Sequence, residues 1–303
     1  MLTGLYSHQA GIGLMTWDIR CMEVYAAMVD QMDAGIGRIV DALRQTGQLE
    51  NTILVYLQDN GGCAEGYGRK DNSDKRARFD FKPFGPNGLQ TKIWPPMQTR
   101  DGRWVRTGPE TMPGAEDTFV AYGAGWATAS NTPFRGYKYN GTEGGISTPF
   151  IVHWPEGIAK ERRGKIVHDP SHLIDLMPTF VAAAAAQYPR EHAGVSIQPM
   201  AGVSLLPALT GKKLKRGAPL GFEHHGNLAL REGCWKIVSD YRNNQPTRWE
   251  LYDMEADRTE QNNLATRQPE RLKSLVEKWQ QWADRVGVRP WPFPKKKKWF
   301  SCW

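Results

Sequence analysis

The chain has little cysteine, and what it has is scattered. Cys21, Cys63, Cys234 and Cys302 form no CxxC pair and stand at no ligand spacing from a histidine, so neither a zinc site nor a disulfide framework is implied. No apolar run approaches the roughly 20 residues of a membrane-spanning helix. The first fifteen residues, MLTGLYSHQAGIGLM, have no basic leading region and no long apolar centre, so they do not read as a signal peptide. There is no internal repeat. No recognition motif for nucleic acid accompanies the basic charge, so a nucleic-acid partner is not expected.

What is present is globular. The 303 residues are 40% hydrophobic and 11% aromatic, with twelve tryptophans, enough for one large domain or one with a small companion. The net charge is +7, and four of those charges are Lys295–Lys298; without them the balance is +3. That run reads as a solvated tail, with attraction to anionic substrates as the sharper alternative.

Residues 51–66, NTILVYLQDNGGCAEG, carry the most chemistry. A run of β-formers from Ile53 to Leu57 stops at Asp59-Asn60-Gly61-Gly62, which reads as a buried parallel strand. Such a strand delivers a carboxylate and an amide at its C-terminal end, where ligand crevices of open α/β sheets lie. Asp59 and Asn60 are hard oxygen donors, suited to Ca²⁺ or Mg²⁺ and poor for zinc. A strand closed by an Asx-type turn would use the same four residues.

Around this strand the periodicities fall into place. Val24, Met28, Met32, Gly35, Ile39 and Leu43 trace one face of a helix over 23–46, with Gly47 as its stop. Residues 64–132 are rich in Gly, Pro, Arg and Lys and show little period, so they read as a functional rim or a partly ordered excursion. Residues 148–153 read as a second core strand. Asp169-Pro170 reads as a helix start, with a kink or break at Pro178. From 217 the texture changes: 227–238 predict a hairpin around Arg231-Glu232-Gly233, 249–254 a third strand, and Leu272, Leu275, Val276, Trp279 and Val286 a closing amphipathic helix. The organisation is thus a partial α/β domain (1–216, with 64–130 as an excursion), an antiparallel subdomain (217–289) and a basic tail (290–303).

Five segments in order resemble the formylglycine-dependent sulfatases of the alkaline-phosphatase-like superfamily. They are EVYAAMVDQMDAGIGRIVDALRQTGQLENT (23–52), the DNGG strand, NTPFRGYKYNGTEGGISTPFIVHWPEGI (131–158), HLIDLMPTFVAAAA (172–185) and GVSLLPALTGK (202–212). The resemblance implies an α/β fold with an alkaline-phosphatase-like central sheet flanked by helices, incomplete here, and a small C-terminal antiparallel sheet plus helix. It implies sulfuric ester hydrolysis of the arylsulfatase kind, with Asp59 and Asn60 as ligands of one divalent cation, usually calcium. Lys138 is then the lysine that contacts the sulfate; without the motif it would read as a surface lysine. A sulfate ester or sulfated glycan is the implied partner, and relatives of full length are commonly periplasmic or secreted.

The same resemblance exposes a gap. The family's nucleophile is a formylglycine made in a CxPxR motif, and no cysteine here is followed by Pro at +2 and Arg at +4. Met1-Leu2-Thr3-Gly4 resembles the end of that signature. The residues before Cys21 adjoin a segment that relatives place much later. The early Asp-Asp ligands and a Lys-His pair have no counterpart, so a truncated, inactive or impaired sulfatase is expected. A non-catalytic protein that binds sulfated ligands or a partner is the alternative, and a phosphate or phosphonate ester hydrolase a third. Arg135 reads as structural or rim, and Glu143-Gly144-Gly145 as a turn builder. His224 and His225, on a strand, would point to opposite faces. His153 reads as a core histidine and His172 as structural. Tyr67, Trp94, Trp104 and Trp126 could line a pocket or simply pack. An incomplete sheet predicts exposed core and poor solubility.

Overall fold

The computed structural model describes residues 15–73, 81–89, 98–242, 245–246 and 248–292. Trp94, Cys302 and Lys295–Lys298 lie outside them. Helix α1 (Met15–Gln45) is longer than the periodicity predicts and ends as expected, with Gly47 at φ +68°. Its first turns are anchored. The Trp17 indole donates to the Thr111 carbonyl at 3.1 Å, Asp18 pairs with Arg69 at 2.5 Å, and the Tyr25 and Tyr122 rings lie 4.8 Å apart. Beyond them the apolar stripe faces water: Met28, Met32 and Ile39 are 65%, 44% and 58% exposed.

Strand β1 (Leu54–Leu57) follows, then the long excursion and helix α2 (Gly123–Asn131), the short turn α3 (Glu143–Ile146) and strand β2 (Phe150–His153). β1 pairs with β2 alone, and antiparallel, Leu54 opposite His153. The expectation of a buried parallel strand is therefore corrected: β1 is half-buried. An apolar run carries no information on the direction of its partner, and burial requires cover on both faces. On β2, Phe150 and Ile151 are exposed, and so is His153, which is not a core histidine.

His172, not Asp169, starts the next helical segment. Its Nδ1 accepts from the Ile174 amide (3.2 Å), while its own amide donates to Asp175 (2.8 Å). A 3₁₀ turn (Leu173–Asp175) leads into α4 (Leu176–Ala183), so Pro178 falls in a first turn, where its missing donor is tolerated. The hairpin β3 (Glu191–His192)–β4 (Val195–Ser196) and the short α5 (Leu206–Leu209) complete this part.

The packed core sits C-terminally. β5 (Leu220–His224), β6 (Asn227–Glu232), β7 (Trp235–Ser239) and, beyond the two-residue pair β8 (Tyr241–Arg242) and β9 (Gln245–Pro246), β10 (Glu250–Asp253) form an antiparallel sheet of order β10-β7-β6-β5. Helix α6 (Pro269–Val286) lays Leu275, Trp279 and Ala283 over Leu230, Ile237 and Leu251. These apolar side chains are all but removed from water, and their burial is what holds this sheet. Among the described residues the architecture is thus α/β, with one four-stranded antiparallel sheet and three two-stranded ones, all open. No described helix is long and apolar enough to cross a membrane.

Candidate functional site

The site is assembled by two glycine turns locked backbone to backbone. After β1, the Gly61 amide donates to the Gly145 carbonyl (2.9 Å), and Gly144 in turn donates to the Arg135 carbonyl (2.9 Å). A Cβ on Gly61 would sit 1.7 Å from the Gly144 oxygen, so only glycine allows the approach. The Gly62 amide donates to Asn131 at the end of α2 (2.9 Å), and the Lys138 amide donates to the Gly62 carbonyl (3.0 Å). The DNGG turn and the lysine loop are thereby one unit.

That unit is clamped to the C-terminal sheet by buried charge. Glu143 and Lys236 are 2% and 0% exposed, and the Lys236 ammonium lies 2.8 Å from Glu143 and 2.9 Å from Glu260. Burial alone would raise the Glu143 pKa, but Lys236, Arg231 and Arg258 outweigh it and hold the carboxyl below its ordinary value. Arg135 donates to Tyr252 (2.9 Å) and to Glu250. Glu143 and Arg135 thus hold the turn in place, as their sequence positions predict.

Asp59, Asn60 and Lys138 line one open cleft of about 1090 Å³, together with His153 and His224. Asp59 is exposed. The Asn60 side-chain amide donates to the Gly61 carbonyl (3.0 Å), so its oxygen is the atom that could accept from or face a ligand. These are the right donors for calcium in kind but not in number, since calcium takes about six to eight oxygens. Among the described residues no group of three or more His, Cys, Asp or Glu converges on a metal position.

Sequence reasoning missed the hub of the site, Glu65. Its carboxylate accepts from Lys138 (2.8 Å), the Tyr139 hydroxyl (3.0 Å) and the Cys63 thiol (3.0 Å), with Tyr67 beside it. Burial pushes the Glu65 pKa up, yet hydrogen bonds from Lys138, Cys63, Tyr67 and Tyr139 prevail and hold it at about 2. The bond to Glu65 raises the Lys138 pKa, so the ammonium stays charged. Tyr139 reaches the hub at φ +85°, a strained conformation for a bulky residue.

His224 and His225 do not point apart. His225 leaves the strand at φ +50°, and the two rings stack at 4.3 Å between Tyr139 (4.9 Å from His224) and Trp291 (4.4 Å from His225). The alternation of a regular strand does not apply past its last residue. Burial, then His225, lowers the His224 pKa, so that ring is neutral at pH 7. Trp104 packs on Phe81 (5.1 Å) and the Trp126 indole donates to the Asp18 backbone carbonyl (2.9 Å); neither lines the cleft.

The Sulfatase family model matches residues 7–186, more than half of the chain, and the model described as N-sulphoglucosamine sulphohydrolase, C-terminal, matches residues 138–284. An uncharacterized sulfatase of Schizosaccharomyces pombe is 31% identical over 292 residues, covering 92% of this chain and 48% of the relative. An arylsulfatase of Klebsiella aerogenes is 33% identical over 203 residues, covering 66% of this chain and 37% of the relative. The solved structure of Ps i-CgsB in complex with k-i-k-neocarrahexaose superposes with a TM-score of 0.54 at 22% identity, covering 86% of this chain and 42% of that one. It has the same fold. The chain thus spans no more than about half the length of these curated relatives.

Proposed function

From the premise that the chain belongs to the sulfatase family, we propose that these 303 residues carry the sulfate-recognition half of a sulfuric ester hydrolase site; no CxPxR motif that would supply the nucleophile occurs among them. One observation carries this: Asp59, Asn60 and Lys138, on two different turns, line a single cleft. The relatives include an arylsulfatase, steryl-sulfatases and an N-acetylgalactosamine-6-O-sulfatase, which supports the substrate class.

In this reading Lys138 supplies a fixed ammonium to the sulfate oxygens, and Glu65 keeps it protonated and aimed. Asp59 and Asn60 would hold one calcium ion, which supplies charge neutralisation for a bound sulfate. His224, neutral at the cleft wall, faces the group that carries the sulfate. With no formylglycine precursor in the chain, it binds a sulfate ester without turning it over.

Calorimetry with calcium chloride and 4-nitrophenyl sulfate tests the proposal. Binding of the ester should require calcium and weaken about tenfold or more in Lys138→Ala. Equal affinity for the ester in wild type and Lys138→Ala would overturn it.

A further inference from the structure

The cleft does not end at Lys138. Part of its wall is built by residues 162–168 (RRGKIVH), and a smaller hollow that shares Arg162, Val167 and His168 with it runs on to Gly211, Lys212 and Lys213. Two basic segments, 50 residues apart in sequence, are brought together there. The Ala159 amide donates to the Leu209 carbonyl (3.3 Å), and the Leu214 amide donates to Asp169 (2.8 Å). Gly211, at φ +85°, makes room for Arg162, whose Cδ would lie 3.3 Å from a Cβ there.

The charge along this path is uncompensated. Arg163, Lys165, Lys212 and Lys213 are exposed, and none of them, nor Arg162, has an ion-pair partner among the described residues. The carboxylates alongside are Glu161 and Asp169, and Asp169 is engaged by the Leu214 amide. Arg163 is held in place by the carbonyls of Ile158 (3.3 Å) and Pro155, so its position is set by the fold. The Nε of Arg162 is buried from solvent and has no hydrogen-bond partner. A buried donor left without an acceptor is costly, and Arg162 lines both the cleft and the hollow.

We propose that this basic groove is a second anion subsite, and that the chain takes a polysulfated glycan rather than a small aryl sulfate. The inference rests on the cleft reading above: one sulfate sits at Lys138 while further anionic groups of the same chain lie along Arg162 and Lys212–Lys213. A single small ester has nothing to place there. A repeating sulfated polymer does, and exposed cations in a groove gather such a ligand from solution. The flanking Ile166 and Val167, 79% and 42% exposed, offer apolar surface to sugar faces between the charges.

The test is a titration of the full chain, in calcium, with three probes: a chondroitin sulfate hexasaccharide, 4-nitrophenyl sulfate and a 12-base-pair DNA duplex. Lys212→Ala/Lys213→Ala should bind the hexasaccharide about tenfold more weakly and the aryl sulfate as wild type does. Arg162→Ala should behave likewise, and neither change should alter the circular dichroism spectrum. Unchanged hexasaccharide affinity in both variants overturns the subsite. So does equal affinity for the DNA duplex, which marks general polyanion attraction. Loss of hexasaccharide binding in the groove variants, with Lys138→Ala unaffected toward every probe, upholds the groove and removes the cleft reading instead.

Discussion

Replacing Lys236 by methionine removes the one ammonium that separates two buried carboxylates. Lys236 is 0% exposed, and Glu143 and Glu260 are each 2% exposed. Breaking a buried ion pair by deleting one partner costs about 3–5 kcal/mol, because the other charge stays desolvated. Here two carboxylates are left. Part of the loss is offset: Arg231 and Arg258 lie 3.9 and 3.8 Å from Glu143, and Arg135 lies 3.8 Å from Glu260. The expected destabilisation at pH 7 is therefore near the lower end of that range, about 3 kcal/mol. Urea unfolding followed by tryptophan fluorescence reads it, since Trp235, Trp249 and Trp279 pack in or on this core. The pH dependence carries a second signature. The Glu143 pKa is depressed, so its contribution is full above the unfolded value and fades as pH falls through the folded one. Without Lys236 the burial of Glu143 is opposed less, its carboxyl ionises less readily, and the variant should recover toward wild type as pH falls. Adding Glu143→Gln and Glu260→Gln to the variant should restore most of its stability. A Lys236→Met chain within about 1 kcal/mol of wild type at pH 7 would refute the argument that this cluster clamps the turn to the sheet.

Other outcomes follow from the same structure. Gly61→Ala, which would place a Cβ 1.7 Å from the Gly144 oxygen, should separate the two turns; amide exchange at Gly61 and Lys138 should accelerate, while exchange in β6 and β7 should not. Leu251→Ala, at 0% exposure in the core, should cost about 2–5 kcal/mol in urea unfolding. Glu65 has a pKa of about 2, so the hydrogen bonds of its hub persist at neutral pH and are lost only as pH falls from the ordinary carboxylate range toward 2; Lys138 reactivity toward an acylating reagent should rise in Glu65→Gln at pH 7. Met28→Gln/Met32→Gln/Ile39→Gln should reduce self-association in sedimentation velocity with little change in unfolding, because these side chains face water.

Local signals reached some elements and not others. The apolar stripe of α1, the stop at Gly47 and the β6–β7 hairpin around Gly233 (φ +58°) are each written in a few neighbouring residues, and the fold follows them. Glu143 as turn builder was legible from its two glycines. The antiparallel pairing of β1 with β2 was not, because direction is decided by a partner about 95 residues away. Strand β5 lay hidden in a stretch of mixed polarity and forms because β6 offers it an edge. Burial of Lys236 depends on carboxylates from two remote turns, and the Glu65 hub on Tyr139 adopting a conformation that its type disfavours. The His224–His225 stack required one positive φ, which no period of two anticipates.

In the proposed reading Lys138, Asp59 and Asn60 recognise a sulfate ester, and no residue of these 303 supplies the nucleophile. Steady-state hydrolysis of 4-nitrophenyl sulfate by the purified chain in calcium tests it most directly. Release of 4-nitrophenol should be no faster than in buffer, with the ester still bound in a Lys138-dependent manner. Robust turnover that disappears in Asp59→Ala would contradict it.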